Sequence, residues 1–294
     1  MGRKIKIIIS MLVFGTLGVF VHYIHLPSSE LAALRAMIGS IFLVVYMAST
    51  DNKINRKDIE KDLKLLIPSG IMLGFMWIFL FQAYRLSTVA IATLCHYMAP
   101  ILVMVLSPIF FKEKLNGIKI LCIAAAVAGI VFVSGLTGGS SVHISGILFG
   151  LFSAAFYAGV IIMNKFIRNL PPAETTFCQL FIASILLSIY TLLTGGFSRE
   201  AFSGKTVLLI LIIGIVHTGI TYLMFFDAVE SLEAQTTAVL SYIDPITAIL
   251  LSTFLLHQSM SPVQWGGAAL ILGSTFFYEI FADGIWKRPH DHIR

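Results

Sequence analysis

Charge is scarce in this chain: Asp, Glu, Lys and Arg together make up 12% of its 294 residues, about half the share of a soluble domain. A soluble globular enzyme is therefore excluded as a reading. Cysteine is scarcer still. Its three copies, Cys95, Cys122 and Cys178, have no CxxC spacing, so they read as buried thiols rather than a redox pair or a zinc site. No phosphate-cradling GxxxxGK[ST] loop is present, and neither HExxH nor GxSxG occurs. These absences argue against ATP-driven pumping by this chain and against metalloprotease or serine-hydrolase chemistry. No catalytic residue, cofactor or metal is therefore nominated. The strict apolar–polar alternation of a membrane barrel is missing too.

What the sequence has is hydrocarbon. Hydrophobic residues are 57% of the chain, Phe alone occurs 23 times and the mean hydropathy is +0.92, the opposite of a disordered polyelectrolyte. Apolar runs of membrane length cover residues 5–24, 31–49, 65–84, 88–111, 118–136, 144–166, 175–194, 206–226, 234–256 and 264–282. Continuous runs in lipid mean helices, because only bonding within the segment satisfies the backbone there. The fold class expected is all-α integral membrane, with ten transmembrane helices and no room for an extramembrane domain. Arg3, Lys4 and Lys6 precede the first run, but no small-residue cleavage site follows before His25, so it reads as a retained helix.

The net charge of +5 sits in loops between apolar runs, which favours lipid headgroups over nucleic acid as its partner. With the N-terminus cytoplasmic, that side collects Lys53, Arg56, Lys57, Lys61, Lys64, Lys112, Lys114, Lys119, Lys165, Arg168, Lys287, Arg288 and Arg294. The other side holds only Arg85, Arg199 and Lys205. The positive-inside rule then places both termini in the cytoplasm of a multi-pass plasma (inner) membrane protein. The connection carrying Glu230 and Glu233 without a cation is the exception. The mixed run from Asp51 to Lys64 reads as a solvated loop, and Arg35, Lys165 and Glu279 as snorkelling residues near helix ends.

Sliding the chain by 145 residues lays Ala83, Tyr97, Pro100, Ile101, Leu106 and Ser107 over Ala228, Tyr242, Pro245, Ile246, Leu251 and Ser252. Upstream, Gly74 and Phe81 fall on Gly219 and Phe226. With five helices per half the second copy enters the membrane inverted, the architecture of secondary transporters. The division expected is a first repeat over 1–138, a second over 139–284 and a cytoplasmic tail over 285–294, whose His290 and His292 read as part of a solvated end.

The two-times-five layout resembles the EamA-type family of the drug/metabolite transporter superfamily. The resemblance covers the whole chain and rests on Ala99–Pro100 leading to Lys112–Glu113–Lys114, and on Asp244–Pro245 leading to His257–Gln258. In the family the residue before the Pro is often acidic and the turn often holds Glu. This chain keeps the acid only at Asp244 and the turn Glu only at Glu113. The resemblance implies transport of small metabolites, commonly export of amino acids or amines.

Polar residues at membrane depth carry an energetic cost and so point to function. One layer holds Trp77, His96, Tyr97, Tyr157, His217, Ser241, Tyr242 and Asp244. On the eighth run Gly214, His217, Thr218, Thr221, Tyr222 and Phe225 share a stripe; on the ninth Thr237, Ser241, Asp244, Ala248 and Ser252 do so. Hydroxyls such as Ser241 serve helix packing first, and Asp244 has a competing role at the Pro245 break. Tyr242, about 100° round from Ser241, is directed toward a neighbouring helix. The substrate-binding set expected is Trp77, His96, Tyr97, Tyr157, His217, Tyr222, Ser241 and Asp244. Asp244 would attract an ammonium group or carry a coupling proton, the aromatics would face a cationic head, and His96 and His217 would hydrogen-bond substrate or relay protons. Pro100 and Pro245 are expected to kink their helices, with Gly74 and Gly219 as further bending points. A membrane-embedded receptor, or a hydrolase using Asp227, Asp244, His96 and His217, is the alternative. Gly266 and Gly267 leave packing within the bundle or in a homodimer open.

Overall fold

The computed structural model describes residues 2–49, 56–135, 144–198, 203–229, 232 and 234–281. The expected repeat boundary at 138 and 139, the tail over 285–294, Lys53, Arg199, Glu230, Glu233 and the Glu279 side chain lie outside the described residues. Within them all regular structure is helical. The helices are α1 (Arg3–Tyr23), α2 (Ser28–Ser49), α3 (Arg56–Leu86), α4 (Val89–His96), α5 (Ala99–Phe110), α6 (Gly117–Val133) and α7 (Ile144–Asn164). They continue with α8 (Pro172–Leu193), α9 (Gly204–Leu211), a π-helical segment (Ile212–Ile220), α10 (Thr221–Val229), α11 (Ala234–Ser241), α12 (Ile243–Phe254) and α13 (Pro262–Phe281).

Many of these helices are rich in Ile and Val, whose branched side chains favour strands in water. In hydrocarbon the backbone's need for internal partners overrides that preference. Seven stretches among the described residues are long and apolar enough to cross a membrane, counting 89–110 and 204–229 as single spans, and α6 and 239–254 are shorter apolar helices. Side-chain oxygens start several of them. Thr88 accepts from the Ile91 amide at 3.2 Å, Asn116 from Lys119 at 2.9 Å and Ser203 from Thr206 at 3.2 Å, relieving amides with no intrahelical partner.

Apolar side chains face outward as well as inward. Leu193, Ile109, Phe254 and Leu121 are exposed on the outer faces, whereas Ser10, Ser69, Thr93, Ser153, Gln179, Thr218, Ser252 and Thr275 are buried. A lipid-facing belt around a hydroxyl-rich interior fits a bundle held together by packing and hydrogen bonds rather than by the hydrophobic effect.

At Pro100 and Pro245, where kinks are expected, the α-helical hydrogen-bond ladder is interrupted. Pro100 cannot donate to the His96 carbonyl, nor Pro245 to that of Ser241. The regular α-helix is accordingly interrupted by a turn at Tyr97–Met98 and again at Tyr242, with the backbone of Met98 and Tyr242 still right-handed. Downstream, Lys112 (φ 56°) and His257 (φ 55°) both adopt the left-handed conformation, also 145 positions apart. The principal packing partners are α3 with α7, α6 with α13, α2 with α8 and α1 with α12 and α10. Gly267 sits against Gly129 of α6, and Gly266 faces open space.

Two expectations are corrected. The charged run is not all loop: from Arg56 onward it extends α3, supported by Arg56–Glu60 (3.0 Å) and Lys61–Asp58 (2.8 Å) pairs one turn apart. Its Asp62 is buried, because the carboxylate accepts the Asn169 backbone amide at 2.9 Å and the Asn169 side-chain amide at 2.8 Å. Arg35 does not snorkel. It is 2% exposed and points into the bundle, where aromatic faces and a hydroxyl receive it. Lys165 lies over the Phe111 ring at 4.3 Å.

Candidate functional site

Two polar poles lie within the bundle. The first is built by the broken helices. Because α4 ends at His96, Tyr97 occupies the turn before α5, and its hydroxyl donates to Asp244 Oδ2 at 2.7 Å. Asp244 stands in the first turn of α12, at the end of the helix dipole that favours negative charge. Close approach of α1 completes this corner: a Cβ on Gly15 would sit 2.7 Å from the Asp244 carbonyl oxygen and 2.5 Å from Thr247 Cβ, so only glycine fits there.

The second pole is built on α2, α3 and the π-helical segment. The Arg35 guanidinium lies over the Trp77 ring, 4.2 Å from its centroid, with Phe81 at 5.9 Å. Its Nε donates to Thr218 Oγ1 at 2.9 Å. Thr218 can accept because its own hydroxyl proton goes to the Ile213 carbonyl at 3.0 Å, five residues back, where the π register brings the two together. Gly39, one turn beyond Arg35 on α2, makes room: a Cβ there would lie 2.5 Å from Thr218 Cγ2.

Two histidines flank this region. His96 Nδ1 and Ser153 Oγ are 2.9 Å apart, Ser153 donates to the Met76 carbonyl at 2.9 Å, and the His96 ring stacks on Tyr157 at 5.2 Å. His217, on the π-helical segment, is buried with Nε2 2.8 Å from Thr16 Oγ1 and Phe20 edge-on at 4.9 Å.

Of the residues singled out from sequence, Tyr97 and Asp244 touch directly, and His96 contacts Tyr97 (6.2 Å between rings) and Tyr157. Trp77 serves Arg35. Tyr222 packs on Phe14 at 5.2 Å and on Phe226 at 5.9 Å. Ser241 bonds back to the Thr237 carbonyl at 2.8 Å, within its own helix. Tyr242 turns away, its ring edge-on to Phe276 at 5.2 Å. Asp227 does not approach Asp244; it pairs with Lys6 at the ends of α10 and α1. Sequence reading missed Arg35 and Thr218. For Arg35 a signal was available: Ala32 three residues before and Gly39 four residues after share its face and mark the packed side of α2.

Comparison with known proteins bears on what this arrangement serves. The model of the EamA-like transporter family matches residues 4–135 and again residues 144–279. The uncharacterized transporter YxxF of Bacillus subtilis is 34% identical over 279 residues, covering 91% of this chain and 88% of that one. The uncharacterized inner membrane transporter YicL of Salmonella typhimurium is 21% identical over 290 residues and 94% of each chain. A protein of the same organism named "Probable amino-acid metabolite efflux pump" is 24% identical over 265 residues, 86% of this chain and 85% of its own. A solved crystal structure, 19% identical, superposes with a TM-score of 0.64 over 95% of this chain and 97% of its own, a likeness of fold.

Proposed function

The chain belongs to the EamA-like transporter family, and from that premise we propose that it is a secondary transporter that exports small polar metabolites, amino acids or amines, by alternating access. It is a multi-pass membrane protein, and its relatives are named transporters rather than enzymes. In this reading ten helices form two inverted repeats, 1–138 and 139–284, with both termini cytoplasmic.

The observation that carries the proposal is that each polar pole is made jointly by the two halves. Tyr97 meets Asp244, and Arg35 meets Thr218. Rocking one half against the other changes those contacts, so a ligand held there is exposed first to one side and then to the other. The breaks at Tyr97–Met98 and Tyr242 and the matching left-handed residues support the repeat. So does the pattern of neighbours: exchanging the halves exchanges α6 with α13 and α2 with α8, which are themselves packed pairs. Asp244 then receives an ammonium group or a coupling proton, with Tyr97 releasing its hydrogen bond as the ligand arrives. His96 and His217 supply hydrogen bonds or relay protons. The export direction and the amine-bearing substrate follow the family resemblance and the efflux-pump relative.

Counterflow tests the proposal. Proteoliposomes preloaded with an unlabelled amino-acid or amine mixture should concentrate the matching labelled compound transiently, and an imposed pH gradient should drive net accumulation if protons are coupled. Binding without flux for every compound would make the protein a receptor and overturn the reading.

A further inference from the structure

Among the described residues Arg35 is a charge without a countercharge. Ion pairs among the described residues include Lys6–Asp227, Arg56–Glu60, Lys61–Asp58 and Lys119–Glu113, and Arg35 takes part in none of these. A guanidinium keeps its proton in proteins and offers five N–H donors in a fixed plane. Here Nε has the Thr218 hydroxyl, two ring faces cover the cation, and Nη1 is buried with no hydrogen-bond partner. Stripping water from a charged donor and leaving it unpaired is among the most costly arrangements a core can hold. The aromatic stack and the Thr218 contact fix the plane of the fork, so the unpartnered Nη1 is held in a defined direction. Planar, bidentate acceptors are what such a fork matches.

We propose that Arg35, through its unpartnered Nη1, is the seat for a carboxylate of the transported molecule. This rests on the transport reading and narrows it. The substrate is a carboxylate-bearing small molecule rather than a simple amine, and with Asp244 at the other pole a zwitterion has one partner for each charge. Trp77 and Thr218 are positioning residues that hold the fork. The half-built character of the site follows: the protein supplies the cation, its plane and its dry surroundings, and the ligand supplies the anion.

The test is ligand-induced thermal stabilisation of the purified full chain in chloride-free buffer. The probes are the twenty standard amino acids and, for each that shifts the melting temperature, its decarboxylated amine, its amide and its deaminated acid. Sodium chloride and sodium acetate are run beside them. Among the compounds that bind, loss of the carboxylate should weaken stabilisation by about 10- to 100-fold, the loss of a charge-assisted hydrogen bond. Arg35→Gln should erase that preference and Arg35→Lys restore part of it. Trp77→Phe and Thr218→Val, which keep the charge, should weaken carboxylate binding more than amine binding. Where Arg35→Gln does not fold, protection of Arg35 in the unmodified protein from phenylglyoxal by the bound carboxylate, mapped by mass spectrometry, gives the same answer. Amines and amides binding as tightly as the parent acids, a preference retained in Arg35→Gln, or no stabilisation by any carboxylate would overturn the assignment. So would stabilisation by chloride alone. Counterflow of an amine by the intact protein would leave transport standing while removing the carboxylate seat.

Discussion

The two copies of the broken helix share a backbone and differ in chemistry. In each a turn interrupts the helix just ahead of a proline, and each ends in a left-handed residue, Lys112 or His257. In the first copy Tyr97 reaches across to Asp244, while its counterpart Tyr242 packs on Phe276. The second copy supplies the carboxylate, and the equivalent position in the first is the buried Ala99. The turns diverge as well. Glu113 pairs with the nearly buried Lys119 at 2.9 Å, whereas Gln258 accepts from Ser252 at 2.8 Å and from the Val89 amide at 2.9 Å, closing the start of α4. A repeated framework thus sets where a helix can be opened, and unequal side chains decide which opening binds and which only packs.

Substitutions can break or sharpen that comparison. Asp244→Asn removes the sole acid of the pair and is expected to abolish counterflow while leaving expression and the elution profile near normal; retained flux with unchanged affinity would remove Asp244 from the site. Ala99→Asp makes the first copy resemble the second. Burying an unpaired carboxylate should cost several kcal/mol, seen as a large fall in melting temperature. Tyr97→Phe deletes a hydrogen bond to a charged group and should weaken substrate binding about 10-fold, whereas Tyr242→Phe should change it far less. Equal losses for the two tyrosines would show that the copies share the work. Glu113→Gln, which leaves Lys119 without its partner, is expected to lower stability by about 1–3 kcal/mol in a thermal or denaturant assay. The smallest effect is at Lys6→Ala: its half-exposed pair with Asp227 should contribute about 1 kcal/mol or less.

Helix placement was legible because hydrocarbon leaves few alternatives: every long apolar run is helical here. The layer at membrane depth was legible for the same reason, since buried polar groups are expensive and few, and Tyr97 and Asp244 prove to be in contact. Rotational phase was harder to read. Arg35 lies about 10 Å inside the start of α2 by helical rise, a depth compatible with snorkelling, and only the small residues on its own face distinguish inward from outward. The π register from Ile212 to Ile220 carries no sequence pattern distinct from an α-helix, so the meeting of Thr218 with Arg35 was out of reach. The reach of α3 beyond its apolar run was hidden too, because its first turns are held by ion pairs and by Asp62 rather than by apolar burial.

The most direct measurement is a structure of the protein bound to the compound that counterflow identifies. The ligand is expected between the poles, touching Tyr97 or Arg35 from the first half and Asp244 from the second. A ligand contacting one half alone, or seated away from both poles, would contradict that expectation.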